Sequence, residues 1–169
     1  MKNITLVGFM GTGKTTIGRI LAKKLGFRFV DSDDAIEFDQ GMSVSDIFAV
    51  YGEKYFRSVE KDVIQRLAVQ DGQVISAGGG AVIDPGNVEN MKKAGPVICL
   101  TAPPEVILKR VERHTHRPLL QVPDPLAKIK ELLDTRAPFY AKADVTIDTS
   151  GMTPEEVATE ILKKVGARD

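Results

Sequence analysis

The chain lacks most of what would tie it to an oxidising compartment, a membrane or a polyanion. It has one cysteine, Cys99, so no internal disulfide can form. Lys plus Arg number 23 and Asp plus Glu number 23, so no net field draws it to nucleic acid or anionic lipid. Its apolar runs are only a few residues long, against the ~18 or more of a spanning helix. Met1-Lys2-Asn3 leads straight into a strand-like run, without the apolar stretch of a secretion signal. These absences predict a cytoplasmic protein with no nucleic-acid or membrane partner. Nothing in the sequence demands a second subunit, so a monomer is expected.

What is present fits one globular domain over residues 1–169. The 169 residues are 43% hydrophobic and 27% charged, enough to bury a core and unlike the polar, highly charged profile of disordered chains. Short β-branched runs alternate with longer segments of helical period, which predicts an α/β fold: a parallel sheet with helices on both faces. Strands are expected at Ile4 to Val7, Phe27 to Val30, Gln73 to Ser76, Val97 to Thr101 and Val145 to Ile147. Apolar stripes at helical spacing run through Ile17, Ile20, Leu21 and Leu25, through Val59, Val63, Ile64 and Leu67, through Leu126, Ile129, Leu132 and Leu133, and through Val157, Ile161, Leu162 and Val165. A further helix starts near Pro104, and Thr153-Pro154-Glu155-Glu156 marks the start of the last. Two stretches fit the alternation poorly: residues 33–52, two helical pieces broken at Gly41 and Gly52, and the polar, proline-bearing residues 114–124. Both read as inserts over the sheet's edge.

Gly8-Phe9-Met10-Gly11-Thr12-Gly13-Lys14-Thr15 matches G-x-x-x-x-G-K-[ST], follows the first strand and opens the first helix. Glycines let the backbone wrap with its N–H groups inward, so a polyphosphate meets several donors and the positive end of a helix dipole. Lys14 reaches the β and γ phosphates, and the Thr15 hydroxyl is placed to ligate Mg²⁺. The loop is common to kinases, GTPases and mechanical ATPases. Guanine readout is unsupported, because Ala141-Lys142-Ala143-Asp144 lacks the Asn of Asn-Lys-x-Asp, and Asp148-Thr149-Ser150-Gly151 lies too late for a GTPase switch. The third and fourth strands run into Ala77-Gly78-Gly79-Gly80 and Ala102-Pro103-Pro104 rather than the acidic residue of a motor ATPase.

Acidic residues follow the second strand instead, in Val30-Asp31-Ser32-Asp33-Asp34, at the carboxyl edge where open α/β sheets bind ligands. Alternation along an extended chain puts Asp31 and Asp33 on one side, one near a metal and the other on an acceptor hydroxyl. The competing reading, in which residues 32–34 merely cap a helix, accounts for Asp34 and poorly for Asp31. Gly78, Gly79 and Gly80 permit close backbone approach to a small ligand, or form a plain loop. Arg57 and Arg136, if they converge, could grip a carboxylate, and each alone reads as a surface charge. Arg117 sits in the polar insert, where a mobile loop could bring it to a transferring phosphoryl group. His114 and His116 lack the neighbours of a structural metal site. Cys99 reads as core.

Together these strings resemble the shikimate kinase family over nearly the whole chain: the phosphate loop, Asp31-x-Asp33, Ile47-Phe48 through Gly52-Glu53-x-x-Phe56-Arg57-x-x-Glu60, Gly78-Gly79-Gly80, Arg117-Pro118-Leu119-Leu120, and Arg136 with Pro138 and Tyr140. The resemblance implies a five-stranded sheet of order 2-3-1-4-5, like nucleoside-monophosphate kinases, and transfer of the ATP γ-phosphoryl to the 3-hydroxyl of shikimate, upstream of chorismate and the aromatic amino acids. It implies Gly11, Thr12, Gly13, Lys14, Thr15 and Thr16 on the nucleotide phosphates, Thr15 on Mg²⁺ directly and Asp31 through water. Asp33, Arg57, Gly79 and Arg136 would hold shikimate, the arginines its carboxylate and Asp33 its hydroxyls. Arg110 would lie against adenine and Arg117 near the phosphates, with residues 33–60 as acceptor-binding insert and 112–124 as lid. Lys14, Asp33 and Arg117 are then the catalytic residues. A gluconate-type or other small-molecule kinase, and a nucleotide-binding regulatory module without transfer chemistry, are the competing functions.

Overall fold

A computed structural model describes residues 2–112 and 122–166. Five parallel strands, β1 (Asn3–Val7), β2 (Arg28–Asp31), β3 (Gln73–Ser76), β4 (Val97–Thr101) and β5 (Val145–Asp148), form one sheet in the order β2-β3-β1-β4-β5. The expected strands all form, β3 and β4 with the expected ends and the other three with ends moved by one residue. Seven helices connect or flank them among the described residues: α1 (Lys14–Leu25), α2 (Ser32–Gln40), α3 (Val44–Ala68), α4 (Pro85–Ala94), α5 (Pro104–Val111), α6 (Pro125–Tyr140) and α7 (Pro154–Lys164).

Side-chain alternation along the strands divides the core into two layers. Ile4 and Leu6 of β1 and Ile98 and Leu100 of β4 pack with Ile17 and Leu21 of α1 and Val157 and Ile161 of α7. Val7, Val97 and Cys99 face the other way, onto Ile64 of α3, Val88 and Met91 of α4, and Tyr140 of α6. A parallel sheet covered on both faces needs apolar residues at odd and even positions alike, which is why β4 reads as an apolar run from Val97 to Leu100, while β1 buries Ile4, Leu6 and Val7 with the polar Asn3 and Thr5. Two smaller clusters extend this core toward the carboxyl edge of the sheet. Phe9, Ile107, Val111 and Ile129 join the phosphate-loop segment to α5 and α6, and Ile36, Ile47, Phe56 and Val63 join α2 to α3.

The expected breaks at Gly41 and Gly52 are both present. Gly41 ends α2 in the left-handed conformation. Gly52 has φ 86° and ψ 173°, a conformation almost confined to glycine, and interrupts α3 without ending its path. The bend brings the rings of Phe48 and Phe56 to 4.6 Å between centroids, although eight residues separate them. Helix α4 is an addition to the sequence reading. It carries only Val88, Met91 and Ala94 as an apolar stripe, and Gly86 and Asn87 are poor helix formers. Burial holds it in place, along with Asp84, whose carboxylate accepts from the Gly86 N–H, and the buried Asn87 amide, which donates to the Ala81 carbonyl at 3.0 Å.

Candidate active site

The carboxyl ends of β1, β2 and β3 lie side by side and deliver three groups of residues to one edge of the sheet. From β1 come residues 8–13, which wrap into the N-terminus of α1. Gly8 has φ 137°, and a Cβ there would stand 2.3 Å from the Leu100 carbonyl oxygen, so only glycine lets the loop leave the sheet at this point. Thr12 is buried, and its hydroxyl donates to the Phe9 carbonyl at 2.7 Å. The Lys14 ammonium folds back over the loop and donates to the carbonyls of Gly8 and, at 3.4 Å, Phe9.

From β2 comes the acidic pair. The strand ends at Asp31, and α2 begins at Ser32, so Asp33 projects from the first turn of a helix rather than from an extended chain. Alternation therefore is not what brings Asp31 and Asp33 together; the strand-to-helix turn is. Asp31, not Ser32, is the capping residue, its carboxylate accepting from the Asp34 N–H at 3.0 Å, so the capping role assigned to residues 32–34 belongs to Asp31. Ser32 is buried, and its hydroxyl accepts from the Gly78 N–H at 2.9 Å, tying the end of β2 to the segment after β3.

From β3 comes Gly78-Gly79-Gly80. A Cβ on Gly78 would meet the Asp33 carboxylate at 2.8 Å and the Glu60 carboxylate at 3.2 Å. One on Gly79 would meet the Arg136 guanidinium at 3.3 Å, and one on Gly80 the Arg57 guanidinium at 2.4 Å. The three glycines thus give their space first to the protein's own charged side chains. Asp33, Glu60, Arg57 and Arg136, from three helices, ring this one segment. Tyr140 seals its far side, donating its hydroxyl to the Gly79 carbonyl at 2.7 Å. The Arg136 guanidinium also lies 5.5 Å from the centroid of the Phe9 ring, so this group and the phosphate loop share a wall.

Burial dominates the electrostatics. Asp33 is pushed from 3.8 up to about 6, first by burial and then by the charge of Asp31, against the pull of Lys14. Burial also raises Asp31, partly offset by the hydrogen bond from Asp34. Glu60 is raised by burial and opposed by Arg57, which donates to it at 2.9 Å. One oxygen each of Asp33 and Glu60 is buried without a hydrogen-bond partner in the protein. Unpaired acceptors beside two guanidinium groups are what a ligand carrying both hydroxyls and an anionic group would satisfy.

The model for the family SKI, shikimate kinase, matches residues 10–166. The chain belongs to the shikimate kinase family. A shikimate kinase of Thermodesulfovibrio yellowstonii is 52% identical over 164 residues, 97% of this chain and 95% of that protein. One from Thermoanaerobacter pseudethanolicus is 50% identical over 163 residues, 96% and 95% of the two chains. Among solved structures, shikimate kinase from Acinetobacter baumannii in complex with shikimate superposes with a TM-score of 0.93 at 41% identity, covering 99% of this chain and 94% of that one. A gluconokinase from Sinorhizobium meliloti covers 98% of this chain with a TM-score of 0.61 at 15% identity, a likeness of fold alone.

In this shikimate kinase family member, Asp31, Asp33, Arg57, Arg136 and Gly78 to Gly80 lie together, next to Lys14 and the loop. Arg110 is placed otherwise than on an open face: its guanidinium donates to the Gly11 carbonyl at 3.0 Å and to the Thr149 hydroxyl at 3.1 Å. Arg117, His114 and His116 lie outside the described residues, as does most of the expected lid. Cys99 is core, its thiol pushed up to about 11 by burial. Glu60 and Thr149 are the polar residues to which sequence reasoning gave no function. A carboxylate on the apolar face of the Val59-Val63-Ile64 stripe is the signal that marks Glu60, because such a group is buried only when paired. No signal short of tertiary contacts marks Thr149.

Proposed function

We propose that this chain transfers the γ-phosphoryl group of ATP to the 3-hydroxyl of shikimate, yielding 3-phosphoshikimate and ADP. The observation that carries the reading is the ring of Asp33, Glu60, Arg57 and Arg136 about residues 78–80, adjoining the phosphate loop. Arg57 and Arg136 would take the acceptor's carboxylate through paired N–H donors. Asp33 would accept a hydrogen bond from the reacting hydroxyl and then its proton as the oxygen bonds to the γ-phosphorus. The bond to the β–γ bridging oxygen breaks, and its electron pair leaves with ADP. An acid whose pKa lies at about 6 is well matched to that exchange near neutrality.

Lys14 would exchange the Gly8 and Phe9 carbonyls for the β and γ phosphates, where its charge offsets theirs. Gly11, Thr12, Gly13, Thr15 and Thr16 would complete the phosphate cradle, Arg110 would flank the adenine, and Arg117 would close on the phosphates from residues 112–124. The residues that would hold a metal, Thr15 in the first turn of α1 and Asp31 at the end of β2, offer oxygen donors only, and the described residues hold no group of three His, Cys, Asp or Glu side chains fit for a metal. That set suits Mg²⁺, which takes few protein ligands beside phosphates and waters. When bound it would offset the negative charge of the phosphates during transfer. No helix among the described residues is long and apolar enough to cross a membrane.

Incubation with Mg-ATP and a panel of hydroxy acids, with ADP release and product mass read together, tests the proposal. ADP release dependent on shikimate, with one phosphate added to it, is expected. Turnover with gluconate instead would transfer the site to the competing kinase reading, and nucleotide binding without any product would transfer it to a regulatory one.

A further inference from the structure

Thr149 follows the last strand and is 2% exposed, yet its hydroxyl has three polar neighbours drawn from three separate parts of the fold. It accepts from the Arg110 guanidinium of α5 at 3.1 Å. It faces the Thr12 carbonyl of the phosphate loop and the Thr101 carbonyl at the end of β4, each at 3.2 Å. The Thr149 N–H also donates to the Thr101 carbonyl, at 2.8 Å, which pins the backbone from which the hydroxyl projects. Arg110 in turn donates to the Gly11 carbonyl at 3.0 Å. Two consecutive loop carbonyls, those of Gly11 and Thr12, are therefore held from outside the loop by a threonine and an arginine that also hold each other.

A trans peptide unit points its C=O and the following N–H in opposite directions. Holding the Gly11 and Thr12 carbonyls against Arg110 and Thr149 therefore turns the N–H groups of Thr12 and Gly13 to the opposite side. The loop's glycines leave those peptide units free to rotate unless something outside fixes them: Gly11 and Gly13 have φ of 78° and 96°. We infer that Thr149 is a positioning residue for the nucleotide, setting the peptide orientation of the phosphate loop through the Thr12 carbonyl and through Arg110. The inference rests on reading residues 8–15 as the nucleotide site.

Thr149→Val preserves shape and removes the hydroxyl. It leaves the Arg110 guanidinium and the Thr12 carbonyl each short of a partner, so KM for ATP and the Kd for ADP should rise about tenfold, the cost of one buried hydrogen bond to a charged group. KM for shikimate should stay within about twofold, and Thr149→Ser, which restores the hydroxyl, should return the nucleotide constants to near wild type. Arg110→Met combined with Thr149→Val should cost less than the two single effects multiplied, because both act on the same loop. Should the valine variant not fold, Thr149→Ala, which cannot overpack the site, gives the same comparison. Unchanged nucleotide constants in a folded variant, equal rises for both substrates, or no rescue by serine would overturn the inference. Wild-type enzyme is measured alongside: failure of its shikimate-dependent turnover would overturn the proposed function instead.

Discussion

Asp33→Asn should inactivate the enzyme and at the same time stabilise it. The native carboxyl sits at about 6, against 3.8 for the ordinary group, chiefly because burial disfavours its charged form. At 1.36 kcal/mol per pH unit, the folded protein gives up roughly 3 kcal/mol at neutral pH to keep this side chain ionised. The sign follows from proton binding. Below about 3.8 the group is protonated in both states and costs nothing; between 3.8 and about 6 the folded state holds the proton more tightly; above about 6 the penalty is complete. A neutral amide of the same shape escapes it and brings an N–H donor near the unpartnered oxygen of Glu60. The variant should therefore melt several degrees higher than wild type at pH 7.5, given about 2–4 °C per kcal/mol for a chain of this size. The gain should shrink steadily toward pH 4.5, while phosphoryl transfer at pH 7.5 falls by at least about a hundredfold. Paired thermal melts across this range, with ADP release measured on the same samples, check it. Equal melting temperatures at pH 7.5, or a difference that ignores pH, would refute the claim that Asp33 is a buried carboxylate held ionised for function.

Lys14→Ala should lower kcat by about a thousandfold with the fold intact, since it removes the ammonium that offsets phosphate charge; single-turnover kinetics and circular dichroism read the two effects. Arg57→Ala should raise KM for shikimate by roughly 30-fold or more and leave KM for ATP nearly unchanged, as expected for loss of one charged pair to a carboxylate; parallel loss of both affinities would contradict the division of the site. Gly80→Ala should act the same way in weaker form, because the added methyl would stand 2.4 Å from the Arg57 guanidinium and push it aside; steady-state kinetics on both substrates would detect it. In wild-type enzyme, kcat/KM for shikimate should fall tenfold per pH unit below about 6 as Asp33 takes up its proton, and a profile flat to pH 5 would remove Asp33 as the base.

The sequence by itself determined what local chemistry can encode. The glycine spacing and Lys14-Thr15 specify a phosphate loop, because only that backbone path and those two side chains suit a polyphosphate. The apolar run of β4 specifies a strand buried on both faces, and the stripes of α1, α3, α6 and α7 specify which sides of those helices are covered. Gly41 and Gly52 specify breaks, since both adopt positive φ. Tertiary structure alone decided the rest. It turned Asp33 into a helix, cancelling the alternation argument while keeping the carboxylate beside Asp31. It made α4 from a segment of weak intrinsic preference by burying Val88, Met91 and Asn87. It turned Arg57 and Arg136, 79 residues apart in the chain, onto one glycine segment, and it set Thr149 beneath Thr12 across a separation of 137 residues. Burial and charge pairing over such distances depend on which surfaces meet once the sheet has its strand order, and no window of sequence contains that information.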